Sequence, residues 1–393
     1  MLPPSSYILW LPSWYPNKLA PYDGDFIQRH AQAVSASIPI HVLYLVRDRE
    51  RHVTDSVYFD EKQTGNLTET IIYYSSRNSA LEIADKLFSV QKFRNLYRKC
   101  ISGLFQKKGK PLLVHAHIAF KAGLVAGWIK RKYGIPYFLS EQWTIYLDEA
   151  VPNIDHLNFI KKYFISKVIK RAEKIFPVSD YLGKAIQKKW PSIHYKVIPN
   201  VVNTTVFYPL ENHVNDYYRL VHISNLNYQK DPERLFEAIR ILKAEGINFS
   251  IDVFGPYSDH IKYLVTTNGI EQEVKLHNEV PQAVLAEYLR KSDGLILYSR
   301  YETFGCVIIE ANACGVPVIV TDTLLMRELV RPNENGLLVK PGSAKALAGS
   351  LKDFFSNRDQ FNKRLISESA QRYSYKNIGK MFFDEYTSFI NSQ

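Results

Sequence analysis

The segment Ser299-Arg-Tyr-Glu-Thr-Phe-Gly-Cys-Val-Ile-Ile-Glu-Ala-Asn-Ala-Cys-Gly-Val-Pro-Val-Ile-Val-Thr321 reads in three parts. A strand ends near Leu297, and a loop carries Glu302, Thr303, Phe304 and Gly305. A helix over Gly305–Cys314 follows and stops at Gly315, a residue suited to the left-handed turn after a helix. Pro317 then opens another buried strand. Gly305 lets backbone N–H groups approach a ligand closely, and a helix N-terminus favours an anion. Glu310 lies about one and a half turns inside that helix, among Val307, Ile308, Ile309 and Ala311, where an unpaired charge is costly. The two carboxylates are expected to face one cleft on either side of a bound phosphate and to accept hydrogen bonds from sugar hydroxyls. The plainer alternative leaves Glu302 in solvent and makes Glu310 a cap or a salt-bridge partner.

Outward from this segment, short β-rich runs alternate with longer amphipathic ones. In the first half, strands are expected at Tyr7–Leu11, His41–Val46, Leu112–His115, Tyr137–Ser140, Lys174–Pro177 and Lys196–Ile198. Helices are expected at Asp25–Ser35, Ala80–Gln106, Phe120–Lys132, Asp155–Arg171 and Ser179–Lys189. The stretch from Pro199 to about Tyr218 reads as a linker. The alternation then restarts, with strands at Leu220–Ile223, Ser250–Phe254, Val274–Leu276, Gly294–Leu297, Pro317–Thr321 and Gly336–Val339. Helices are read at Asp231–Glu245, Ile261–Asn268, Gln282–Ser292, Ala344–Phe355, Arg358–Arg372 and Tyr375–Ser388. Such alternation implies α/β architecture with parallel sheets, here two Rossmann-like domains facing each other across a cleft. The expected domains are 1–203 and 204–374, with the helix at 375–393 packing back on the first. In such sheets ligands bind beyond the carboxyl ends of the strands.

A length of 393 residues agrees with two domains. Three scattered cysteines argue against a disulfide framework or a zinc site, and imply a reducing compartment. The net charge of +11 is unevenly placed. Residues 1–200 carry 29 Lys and Arg against 16 Asp and Glu, and the remainder carries 21 against 23. There is no G-x-G-x-x-G, no phosphate loop ending in Gly-Lys-Ser/Thr, no H-E-x-x-H and no G-x-S-x-G. The apolar run Tyr7–Leu11 lacks a preceding basic region and reads as a strand, not a signal peptide.

The Glu302-x7-Glu310 spacing resembles the signature of retaining glycosyltransferase family 4, the group 1 glycosyl transferases, whose fold is GT-B. Further motifs are similar in order along nearly the whole chain: Trp14-Tyr15-Pro16, Gly24-Asp25-Phe26 with His30, His115-Ala116-His117, Ser140-Glu141, Pro177-Val178-Ser179, Ile198-Pro199-Asn200-Val201-Val202, Asn335-Gly336-Leu337-Leu338-Val339 and Pro341-Gly342. The resemblance implies transfer of a sugar from a nucleotide-diphosphate donor to a hydroxyl of a glycan or lipid-linked acceptor. It places Glu310 on the ribose hydroxyls, Glu302 on the donor sugar, and the N–H groups of Phe304, Gly305 and Cys306 beside Thr303 on the diphosphate. Lys230 would neutralise the leaving diphosphate, so that neither metal nor cofactor is required. His117 would line the cleft near the reacting sugar, Gly24 would give the acceptor-side loop room, and Asp25 and Glu141 would stand on the acceptor side. The sequence departs from the family at Ser224-Asn225, where Gly-Arg is usual, and at Gln142, where His is frequent. Arg300 is a candidate substitute for the missing cation, and Asn225 falls among the donor contacts.

Eight basic residues and no acidic one lie between Lys86 and Lys110, interleaved with Leu87, Phe88, Val90, Phe93 and others. Lys161, Lys162, Lys167, Lys170, Arg171 and Lys174 form a second basic stretch. Solvated charge over core-facing apolar residues accounts for both. The alternative is an amphipathic surface that docks on anionic lipid. No recognised nucleic-acid module accompanies the charge. The expected setting is cytoplasmic, with the inner face of the plasma membrane as a candidate surface, in bacterial polysaccharide, lipopolysaccharide or capsule assembly. Two other functions remain open at this level: a non-catalytic sugar or nucleotide binder on the same fold, and another GT-B enzyme such as a phosphorylase or epimerase.

Overall fold

The computed structural model describes residues 6–75, 82–210 and 217–393. In the first domain, β1 (Ile8–Pro12), α1 (Asp25–Ser35), β2 (Ile40–Asp48), β3 (Val57–Thr64), β4 (Leu67–Ser75), α2 (Glu82–Lys108), β5 (Leu113–His117), α3 (Ala122–Tyr133), β6 (Tyr137–Glu141), α4 (Phe159–Arg171), β7 (Lys174–Pro177) and α5 (Asp180–Lys189) follow one another. They form one seven-stranded sheet in the order β3-β4-β2-β1-β5-β6-β7. All pairs are parallel except β3–β4.

The second domain runs β8 (Tyr218–Ile223), α6 (Pro232–Ala244), β9 (Phe249–Phe254), α7 (Asp259–Thr267), β10 (Val274–His277), α8 (Gln282–Arg290), β11 (Gly294–Leu297), α9 (Cys306–Ala313), β12 (Val318–Thr321), α10 (Met326–Leu329), β13 (Gly336–Val339), α11 (Ala344–Ser356) and α12 (Lys363–Ala370). Its six strands are all parallel, in the order β10-β9-β8-β11-β12-β13. Strand order reverses beside β1 in one sheet and beside β8 in the other, and such switch points open a crevice at the strand C-termini.

The final helix, α13 (Tyr375–Ile390), lies on α1 of the first domain. Phe382 and Tyr386 are fully buried there, and the Tyr386 hydroxyl meets His115 Nδ1. The chain therefore crosses between domains twice, and the crossings touch where Val202 N–H donates to the Tyr373 carbonyl at 2.9 Å.

Several expectations are corrected. The hairpin β3–β4 is absent from the sequence reading because Thr68, Glu69 and Thr70 break the apolar pattern. Those polar groups are buried with partners: Glu69 accepts from Tyr15 and Gln28 at 2.7 Å each, and Thr70 meets His41 and Glu61. Lys196–Ile198 is not a strand. Lys196 and Ile198 donate to the carbonyls of Ile175 and Pro177, but the return bond of a parallel ladder would need the N–H that Pro177 lacks. The single helix expected over Asp155–Arg171 is a short turn at Ile154–His156 followed by α4, because Asn158 caps the Lys161 N–H and starts the helix afresh. Asn362 divides Arg358–Arg372 in the same way. Ala80, Leu81 and part of the linker lie outside the described residues, as do the side chains of Lys86 and Leu87.

Candidate active site

The loops after β1, β5, β8 and β11 converge at the two switch points. After β8 the chain makes a turn at Tyr228–Lys230, and Asp231, in the left-handed region, starts α6 with Pro232 in the first helical position. After β11 comes the Glu302 loop. The two loops are tied together: Arg300 N–H donates to the Gln229 carbonyl at 2.8 Å, and the Gln229 amide donates to the Tyr301 carbonyl at 2.9 Å. Lys230 Nζ ion-pairs with Glu302, which also accepts from the Ser299 hydroxyl at 2.9 Å. Glu302 is 6% exposed, so it is not a solvent carboxylate.

Gly305 has φ 85° and stands at the N-terminal boundary of α9, which Cys306 begins. The first N–H groups of a helix have no intrahelical acceptor and carry the positive end of its dipole. Burial pushes the Cys306 thiol up to about 12, so it stays protonated. Phe304 is buried against Tyr373, and the Thr303 carbonyl accepts from Ser179 of the first domain at 2.8 Å. Asn225 is exposed at the tip of the β8 loop.

Glu310 is not an unpaired charge. Arg29, on α1 of the first domain, reaches across and pairs with it at 2.5 Å, and also with Asp25 at 3.2 Å. Burial pushes the Glu310 carboxyl up and the Arg29 guanidinium opposes that shift. Sequence reading missed Arg29. Its signal was a basic residue four positions after Asp25 on the buried face of α1, but the partner is 281 residues away. Arg300 does not stand free as a second phosphate cation. It is held by Asp231 at 2.6 Å and by the Tyr228 carbonyl at 2.9 Å, and it covers the Tyr228 ring.

On the acceptor side, Gly24 has φ 66°, and a Cβ there would sit 2.4 Å from the Trp14 carbonyl carbon. The close pass of these backbones fixes the loop between β1 and α1. His117 ends β5, fully buried, against Trp10 and His115. Burial holds it well below the usual histidine range, so it is neutral, and both ring nitrogens lack partners among the described residues. Glu141 is fully buried and accepts from Ala119 N–H and the Tyr146 hydroxyl at 2.9 Å each. That carboxylate positions the turn before α3; its oxygens are occupied by the protein. Among the described residues no group of three or more His, Cys, Asp or Glu is gathered as metal ligands would be.

Residues 210–372 match the family model described as glycosyl transferases group 1. By that match the second domain is a group 1 glycosyl transferase domain. Among similar sequences, an uncharacterized glycosyltransferase of Methanocaldococcus jannaschii is 27% identical, covering 67% of this chain and 70% of that one. TuaC of Bacillus subtilis, named for teichuronic acid biosynthesis, is 24% identical over 88% of both chains. The alpha-monoglucosyldiacylglycerol synthase of Streptococcus pneumoniae is 21% identical, covering 71% of this chain and 67% of that one. Among solved structures, sucrose-phosphate synthase from Thermosynechococcus elongatus superposes on this chain with TM-score 0.80 at 16% identity, over 99% of this chain and all of that one. Anabaena HepE in complex with UDP-glucose does so with TM-score 0.72 at 17% identity, over 97% and 99%. The fold is GT-B.

Proposed function

We propose that this protein is a group 1 glycosyltransferase, retaining and metal-independent, that transfers a sugar from a nucleoside-diphosphate donor to a hydroxyl of a glycan or lipid-linked acceptor. The observation that carries the reading is the set of Lys230, Glu302 and the N-terminus of α9 at one switch point, with Glu310 deeper on the same helix. Glu310 holds the ribose hydroxyls once Arg29 yields it. Glu302 orients the donor sugar. The N–H groups of Phe304, Gly305 and Cys306, beside Thr303 and Asn225, bind the diphosphate.

The acceptor oxygen bonds to the anomeric carbon on the face from which the diphosphate departs. The bond from that carbon to the diphosphate oxygen breaks, and the departing oxygen takes the acceptor proton. Negative charge grows on the diphosphate, where Lys230 and the helix dipole are already in place. Such fixed electrostatic stabilisation is worth about 3–4 kcal/mol per well-placed donor and takes the charge-neutralising part that a cation would otherwise play. Gly24, Asp25 and His117 border the acceptor from the first domain. The names of TuaC and of the diacylglycerol glycoside synthase support a place in surface polysaccharide or glycolipid assembly, which we assign to the cytoplasmic face of a bacterial membrane. Among the described residues no helix is long and apolar enough to cross a membrane.

The test is thermal unfolding against UDP, GDP, ADP, CMP and their common sugar conjugates, with wild type and Glu310→Ala side by side. A ligand at about 100 times its dissociation constant adds roughly 2.7 kcal/mol. One diphosphate nucleotide should stabilise wild type and not the variant. Absence of any nucleotide effect on wild type would sink the donor reading. Product anomeric configuration, read by NMR, decides retention, and turnover in excess EDTA decides metal independence.

A further inference from the structure

The basic first domain contains a large apolar groove whose place in the fold explains where its charge goes. It has a volume of about 940 Å³ and lies between α2, α3, α4 and the end of β2. Its walls are Phe93, Tyr97, Leu124, Trp128 and Phe164, with Tyr44 from the sheet. Eight Lys and Arg side chains also line it, against Asp23 alone among the described acidic residues. Arg94 and Arg131 are exposed on its rim. One end meets Ser13, Asp23 and Lys121, next to Gly24 and just beyond His117. From there it follows the length of α3, which at twelve residues is ~18 Å.

Apolar side chains also stand in solvent on the helices that form its walls. Val90 and Phe164 line the groove and are 57% and 40% exposed, while Phe88 and Phe159 on the same two helices are 74% and 78% exposed. Exposed aromatic residues beside lysines and arginines are the composition of a surface that meets lipid headgroups. An apolar trough edged by cations fits one class of molecule: a long hydrocarbon chain carrying a phosphate or diphosphate.

We propose that this groove seats the hydrocarbon chain of a lipid-linked phosphate or diphosphate acceptor, with its anionic group held near Lys121 at the active-site end. The sugar beyond that group then extends past Gly24 toward the donor. The inference deepens the glycosyltransferase reading by giving the acceptor a chemical class, and it rests on that reading for the direction in which the lipid lies. It explains why positive charge is concentrated in the domain that does not bind the nucleotide.

Equilibrium dialysis of the full chain with radiolabelled geranylgeranyl diphosphate, below its micelle concentration, tests the groove directly. Saturable binding of one lipid per chain is expected. Geranylgeraniol and inorganic diphosphate, each carrying half of the recognised chemistry, should bind at least about tenfold more weakly. Leu124→Trp, which fills the trough, and Lys121→Glu, which reverses the exposed charge assigned to the anionic group, should each cost about tenfold or more. Because Lys121 is exposed, that variant keeps the fold, and its stabilisation by nucleotide should equal that of wild type. Equal affinity for the uncharged alcohol, unchanged binding by both variants, or binding to anionic vesicles without saturable binding of the monomeric lipid overturns the proposal. Lack of a nucleotide effect on wild type would instead strike the donor reading and leave the lipid measurement standing.

Discussion

Arg29 of the first domain and Glu310 of the second form an ion pair at 2.5 Å, with side-chain exposures of 7% and 5%. It joins α1 to α9, and its acidic member is the carboxylate assigned to the donor ribose. On that assignment, nucleotide binding and the domain contact draw on the same carboxylate.

Removing one partner of a buried pair strands the other charge, at a cost of about 3–5 kcal/mol. Arg29→Ala should lower the denaturant midpoint strongly, and Arg29→Ala with Glu310→Gln should recover most of the loss. A double variant as unstable as the single one would show that Arg29 acts through packing rather than through its charge.

Lys230→Ala should reduce turnover about 100- to 1,000-fold. The same variant should still be stabilised by nucleotide, since the proposed function puts ribose recognition at Glu310. Turnover within a few fold of wild type would remove Lys230 from the leaving-group chemistry.

Stability should fall in mild acid. Burial holds His30 and His222 at about 4, and His115 and His117 well below the ordinary value near 6.5. Unfolding frees these rings to take protons, so below pH 6.5 the unfolded state binds more protons than the folded one. Their contribution is complete above pH 6.5 and is lost as pH falls toward about 4. Denaturant midpoints measured at pH 7.5, 6 and 5 should decline stepwise, and a level series contradicts the burial argument.

Gly24→Ala should destabilise the first domain by about 1–3 kcal/mol and impair transfer, because the new Cβ meets the Trp14 backbone at 2.4 Å. Gly65→Ala is the control. It shares a positive φ but has no atom within 4 Å, so it should cost less and leave activity intact.

The strand–loop–helix–strand passage around Glu302 was readable because Gly305, Gly315 and Pro317 mark its boundaries locally. The β3–β4 hairpin was not, because the burial of Glu69 and Thr70 depends on Tyr15, Gln28 and Glu61 arriving from elsewhere. Arg29 was illegible for the same reason on a larger scale: its meaning lies in the other domain. The groove escaped notice as a cavity because three helices separated along the chain enclose it. Its charge was visible in the residue count, whereas its concavity required the fold.

The return of α13 to the first domain has a consequence for biosynthesis. Phe382 and Tyr386 close the core beneath β1, β5 and β6, packing on Trp10, His115 and Phe138. A ribosome that has reached residue 374 has already made every strand of both sheets. At that moment the second domain holds all of its own elements, while the first still lacks its back wall. The domain translated first is therefore completed last, and a nascent chain arrested short of α13 would present a formed second domain beside a first domain with its interior open to chaperones.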